Sequence, residues 1–269
     1  ARGDEVLVVD DLSSGSAENL AAALSNGAGT LELAVADISE TGIAELVAGY
    51  RPEVVFHLAA QVDVRFSVDN PIADALTNII GLLRVLDGAC TGGARKVVFA
   101  SSGGTIYGEA DPALLPLDEG APQRPLSPYG AAKLAGGLYL DVYGALHGLA
   151  CTTLALANVY GPRQDPHGEA GVVAIFAGRL LSGRPCTIYG SGEQTRDFVY
   201  VDDVVEAFLA AVTGPAGRLI NIGTGVETSV NDLFRIMTKA VRGPLEPKRA
   251  PERSGEQQRS ALRPTRALV

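Results

Sequence analysis

The sequence predicts an α/β fold, a doubly wound parallel sheet with helices on both faces. Two patterns predict it. Short apolar, β-branched runs alternate with stretches of helical periodicity, as successive βαβ units require. Small and polar residues then follow those runs directly, at Asp10, Asp37, Ala59-Ala60, Ser101-Ser102 and Asn158. Open α/β sheets bind ligands at the carboxyl ends of their strands, so five segments distant in sequence point to one crevice.

The first run, Val6–Val9, reads as a buried strand closed by Asp10, Asp11 and a turn-rich stretch. Ala17–Leu24 reads as a short helix, Leu31–Ala36 as a strand, Ile43–Gly49 as a helix and Val54–Leu58 as a strand. Pro71–Ala89 has the pattern of one long amphipathic helix, and Lys96–Ala100 that of a strand. Pro128–His147 is a helix with Ser127 as its N-cap and Pro128 at its first position. Thr152–Ala157 is the next strand. After Asn158 the texture changes to a loop rich in Gly, Pro and charge over Gly161–Gly171. Helices are expected at Val172–Leu181, Asp203–Val212 and Val230–Val241, and strands at Cys186–Tyr189, Asp197–Val201 and Leu219–Ile222. The tail from Gly243 reads as irregular.

Composition narrows the partners. With 46% hydrophobic and 20% charged residues the chain is of globular type, and no apolar run approaches the ~20 residues of a membrane span. A net charge of −9 without a Lys/Arg cluster argues against nucleic acid. A few placed arginines still suffice for an anionic small ligand. Cys90, Cys151 and Cys186 are far apart, as are His57, His147 and His167, so no metal site is expected and the thiols read as buried cytosolic ones.

The chemistry starts at Tyr129 and Lys133. At i and i+4 the phenol and ammonium share one helix face. A phenol ionises near pH ~10; a neighbouring ammonium lowers that and makes the tyrosine a usable base. An ordinary exposed pair has the same spacing. This one opens a helix one crossover after Ser101-Ser102, where a hydroxyl partner would sit. At the other end of the crevice, Asp10 or Asp11 would accept from adenine-ribose hydroxyls and repel a 2′-phosphate, favouring NAD over NADP.

In order and spacing, five segments resemble the extended short-chain dehydrogenase/reductase family. They are Phe56–Ala60, Ser101–Gly108, Tyr129–Lys133, Asn158–Pro162 and Arg196–Asp203. Within that family the stretch Ala157–Gly171 is most similar to the UDP-glucose (UDP-galactose) 4-epimerase branch. The resemblance implies a Rossmann-like NAD domain over residues 1–160. Residues 161–269 would be mainly a substrate-binding region, interleaved with late elements of the sheet around 195–222. It implies that Asp37-Ile38 contacts the adenine and that Leu58, Ala59, Ala60 and Asn78 line the cofactor with Tyr129 and Lys133. Asn158, Arg196 and Arg253 would hold a diphosphate, Glu256 a ribose, and Thr187 and Tyr189 a uracil. Tyr129, Lys133 and Ser102 would catalyse, with Ser101 as the alternative hydroxyl. Many relatives carry a further hydroxyl where this chain has Gly103, and dehydrating relatives place an acid at Gly103-Gly104. Glycines there leave only reversible redox chemistry, hence C4 epimerisation of a UDP-hexose. The alternatives are epimerisation of an N-acetylated or uronic UDP-sugar, 4,6-dehydration, and a non-catalytic binding protein. The helices Pro71–Ala89 and Pro128–His147 correspond to the family's dimerising pair, which implies a homodimer. The family's first strand, Gly-rich turn and first helix are expected ahead of Ala1, in roughly 25 residues. The family's usual Asp after Ser260-Ala261-Leu262 is Arg263 here.

Overall fold

The computed structural model describes residues 3–25, 29–166, 171–241, 246–252 and 257–267. The chain opens with β1 (Glu5–Asp10), α1 (Ala21–Ser25) after a 3-10 turn, β2 (Thr30–Val35), α2 (Ile43–Tyr50) and β3 (Val54–His57). Next come α3 (Val64–Asp69), α4 (Pro71–Ala75), a π-helical segment at Leu76–Gly81 and α5 (Leu82–Gly92). β4 (Lys96–Ser102), α6 (Gly103–Ile106), α7 (Pro128–His147) and β5 (Ala150–Leu156) complete the first part.

Strands β3, β4 and β5 pair in parallel, and β10 (Arg218–Ile222) adds to β5, giving the order β10-β5-β4-β3. β1 and β2 pair in parallel with each other and, among the described residues, with no strand of that sheet. Val9 on β1 and Ala36, just after β2, nevertheless pack on the same core as α2, α5 and α7. The predicted parallel α/β architecture is therefore observed, as a four-stranded and a two-stranded sheet.

Helix packing fixes the catalytic end. Phe99 on β4, Leu82 and Leu86 on α5 and Leu140 on α7 are almost fully buried together, each contributing roughly 1.5–3 kcal/mol. A Cβ at Gly136 would come within 2.7 Å of the Phe99 ring. A glycine there lets α7 lie directly on β4. Ser127 caps α7 as expected, its Oγ accepting from Gly130 N at 3.1 Å.

The expected long helix from Pro71 is not one regular α-helix. The i→i+4 ladder is interrupted by the π-helical segment, which places Asn78 inward, 2% exposed. Single-turn π segments inside α-helices are frequent at functional sites. α3 and α6 are further helices that the hydrophobic periodicity does not mark, because each is shorter than two turns.

The remaining elements are β6 (Asn158–Tyr160), α8 (Val172–Leu181), β7 (Thr187–Tyr189), β8 (Thr195–Arg196), β9 (Phe198–Tyr200), α9 (Val201–Thr213), β10, β11 (Thr228–Ser229), α10 (Val230–Ala240) and β12 (Lys248–Ala250). A small separate core of Phe176, Leu180, Cys186, Ile188 and Leu233 joins α8, β7 and α10. The tail is less irregular than expected: β12 pairs in parallel with β7. Beyond it, Leu262 returns to the larger core beside β4, β5 and α9.

Candidate active site

Asp10, Asp37, Leu58–Ala60, Ser102 and Asn158 lie at or just past the ends of β1, β2, β3, β4 and β5, the carboxyl edge of a parallel sheet. Tyr129 and Lys133 occupy the first turns of α7, above β4.

Lys133 is 4% exposed. Its Nζ donates to the Ala100 carbonyl at 3.0 Å and lies 4.9 Å from the Phe99 ring centroid. Burial pulls its pKa down to about 8, and the Asp74 carboxylate opposes that shift. Tyr129 has its backbone N–H fixed by Ser67 Oγ at 3.2 Å. Lys133 Nζ lies 5.8 Å from the Tyr129 ring centroid. Burial pushes the Tyr129 phenol up to about 12; a hydrogen bond from Ser102 lowers it and Asp74 raises it. The expected acidification of the phenol by Lys133 is thus not seen: desolvation of the phenolate dominates, and the ammonium is turned to Ala100.

The two serines separate. Ser102, half-buried, faces the Tyr129 phenol and favours its ionised form. Ser101 is buried, and its Oγ donates to the Lys133 carbonyl at 3.3 Å. Successive strand residues point to opposite faces, so only one of them reaches the phenol. At Gly103 a Cβ would fall 2.2 Å from Leu262 Cδ1. The space of the missing hydroxyl is filled by a leucine from the far end of the chain.

On the nucleotide side, Asp10 is half-buried and accepts from Leu12 N at 2.7 Å. Asp11 is exposed; its carboxylate accepts from Ser13 N and Oγ, and the Ser13 hydroxyl foremost holds it below the usual range. Asp37 is half-buried and accepts from Ser39 N at 2.7 Å. Ile38 is 6% exposed and belongs to the core, which leaves its backbone rather than its side chain for a ligand. Leu58 is 59% exposed, and Ala59 and Ala60 are half-buried. Asn78 is committed internally: its Oδ1 accepts from Gln61 N, and its Nδ2 donates to Gln61 O and Asp74 Oδ1.

On the other side, Asn158 opens β6 and its N–H donates to Asp197 O at 2.9 Å. Thr187 and Tyr189 alternate with buried Cys186 and Ile188, so both turn away from the small core. Arg196 is half-buried on β8, its guanidinium donating to Thr195 O at 2.8 Å. Arg253 and Glu256 lie outside the described residues. Arg263 takes part through its backbone, accepting from Asn221 Nδ2 at 3.4 Å. Gln61, Ser67, Asp74 and Leu262 also build this site. None belongs to a recognisable motif, although Asp74 lies one helical turn before Asn78.

The profile of the NAD dependent epimerase/dehydratase family matches residues 1–223. The chain belongs to that family. A UDP-glucose 4-epimerase of Mycolicibacterium smegmatis is 51% identical to this family member over 269 residues, 99% of this chain and 84% of the relative. Among solved structures, the UDP-glucose 4-epimerase of Thermotoga maritima with UDP-glucose superposes with a TM-score of 0.90 at 45% identity, covering 98% of this chain and 84% of that one. The Thermus thermophilus UDP-glucose 4-epimerase complex with NAD gives 0.89 at 40% identity, covering 99% and 85%. As an epimerase/dehydratase family member the chain has its Tyr–Lys pair where strand β4 ends, beside a serine hydroxyl.

Proposed function

We propose that the protein is an NAD-dependent UDP-glucose 4-epimerase. The observation that carries this reading is the Ser102–Tyr129–Lys133 cluster at the carboxyl edge of the sheet, beside the acid-free Gly103-Gly104 pair. Its similarity to epimerases with UDP-glucose or NAD bound supports the substrate and cofactor.

The residues fit NAD at both ends. Half-buried Asp10 offers a carboxylate to ribose hydroxyls. Small Ala59 and Ala60 leave room along β3, and Lys133 presents a buried ammonium. When bound, NAD supplies a hydride acceptor that gives the hydride back, and its oxidised form carries positive charge that favours the phenolate. Tyr129 takes the proton from the sugar 4-hydroxyl and returns it. Ser102 donates to the 4-oxygen and relays that proton. Lys133 holds the pair in place. Arg196 and Asn158 bind the diphosphate, with Arg253; Glu256 binds the ribose, and Thr187 and Tyr189 the uracil. Residues 1–160 are the NAD domain, and residues 161–269 are mainly the substrate region.

The full-length protein should interconvert UDP-glucose and UDP-galactose. Failure to do so, with turnover of an N-acetylated or uronic UDP-sugar or release of a 4-keto-6-deoxy sugar, would reassign it within the family. We also infer a homodimer. On the faces of α4 and α7, Ile72 is 77%, Leu138 59%, Val142 47% and Leu146 72% exposed, more apolar surface than packing within one chain covers. Light scattering should give twice the monomer mass, and Leu146→Glu should reduce it. The free thiols Cys90, Cys151 and Cys186 accord with a cytoplasmic protein.

A further inference from the structure

Beneath the Tyr129–Lys133 pair lies a carboxylate that the proposed proton transfer does not use. Asp74, on α4, is 1% exposed. Its Oδ1 accepts from Gln61 Nε2 and from Asn78 Nδ2, both at 2.9 Å. Its Oδ2 is buried with no hydrogen-bond partner. Gln61 and Asn78 are in turn stitched together: Gln61 N donates to Asn78 Oδ1 at 3.0 Å, and Asn78 Nδ2 to Gln61 O at 2.9 Å. Gln61 directly follows Ala59-Ala60, so this knot sets the loop at the end of β3. α4 also packs on α7, the helix that carries the pair.

We propose that Asp74 is a positioning residue for this active site, locking the Ala59–Gln61 loop through Gln61 and Asn78 and serving as the buried counter-charge of the Lys133 ammonium. The proposal rests on the epimerase reading only for its kinetic test. A buried ammonium needs a counter-charge to stay ionised, and Asp74 is the acid that acts on Lys133. The other titratable groups around it do not take that role. His57 on β3 is held neutral, its pKa lowered to about 3 by burial and by Lys133. From α7, Tyr129 faces it as a neutral phenol. On the α3 side, the Asp63 carboxylate caps Arg65 N and Phe66 N, and Arg65 and Asp69 are exposed.

The test is Asp74→Asn. The amide has the same shape and keeps an oxygen for Gln61 and Asn78, so the knot's hydrogen bonds remain. Asp74→Ser, also neutral, repeats the test if Asp74→Asn does not fold. Asp74 raises the pKa of both Lys133 and Tyr129, so removing its charge lowers both. Both limbs of the kcat–pH profile should therefore move toward acid together, by about one pH unit at the separations of such a site. A purely structural residue would lower kcat without moving the limbs. A second readout needs no activity: the lysines are Lys96, Lys133, Lys239 and Lys248, and 13Cε signals can be titrated by NMR, with Lys133 assigned by its loss in Lys133→Met. In Asp74→Asn the Lys133 signal should titrate about one unit lower. An unmoved Lys133 titration in the folded variant overturns the proposal. A wild-type protein without UDP-glucose turnover would instead sink the functional reading, and the NMR titration would still decide the role of Asp74.

Discussion

Around Tyr129 and Lys133 many of the polar groups are buried, Ser67, Asp74, Asn78, Ser101 and Lys133 among them, and most are tied to named partners: Ser67 to Tyr129 N, Ser101 to Lys133 O, Gln61 and Asn78 to Asp74. Around Thr187, Tyr189 and Arg196 the strands are two or three residues long, and the side chains are half-buried. The first region rests on a four-stranded sheet and the helices α5 and α7. The second hangs on a small core of its own. Proton transfer needs groups held within a fraction of an ångström in a low-dielectric setting. Recognition of a charged nucleotide needs reachable donors on a surface that can adjust. The contrast accords with the proposed division, chemistry on the sheet-borne shelf and recognition at the thin edge.

Four measurements bear on that contrast. Tyr129→Phe should cost the most: a loss of roughly 10²–10⁴-fold in kcat, read in a coupled UDP-galactose assay, with NAD binding kept. Surviving activity would remove the shelf's chemical role.

The depth of the shelf has its own signature. His57 titrates at about 3 in the fold against 6.5 when free, chiefly through burial. The unfolded chain binds the proton first as pH falls, so this residue's contribution is full above pH 6.5 and declines as pH drops toward about 3. His57→Gln lacks that slope. Urea unfolding at pH 7 and pH 4 should therefore show wild type losing about 2–4 kcal/mol more than the variant between the two.

The two serines test the geometry at single-residue resolution. Ser102→Ala should lower kcat roughly 10- to 100-fold, the worth of a hydrogen bond to a developing charge. Ser101→Ala should leave kcat within a few-fold and cost about 1 kcal/mol of stability. The reverse pattern would exchange their roles. Arg196→Ala should have the smallest chemical effect: KM for the UDP-sugar should rise about 10-fold, with kcat little changed. A fall in kcat instead would mean that the thin edge also shapes the reacting geometry.

Much of this is legible in the sequence because it is local. The limits of α7, its Ser127 cap and the i,i+4 placing of Tyr129 and Lys133 depend on neighbours within a few residues. So do the strands that lead to Asp10, to Ala59-Ala60 and to Ser101-Ser102, which alternate with helices in a pattern that specifies a parallel sheet. The resemblance of their order and spacing to the family's motifs also implies that the serines, the pair and Arg196 serve one site.

Which groups share an environment is instead a matter of long-range packing. Whether Ser101 or Ser102 meets the phenol depends on which face of β4 lies under α7. That Gly103 is filled by Leu262 joins positions 159 residues apart, as the difference 262 − 103 shows. The balance of charge on the pair is likewise out of reach of spacing. Spacing suggests that Lys133 acidifies Tyr129, yet burial sets both groups, because desolvation grows with everything packed around a side chain. The same packing carries Asp74, which has no motif of its own, beneath the site.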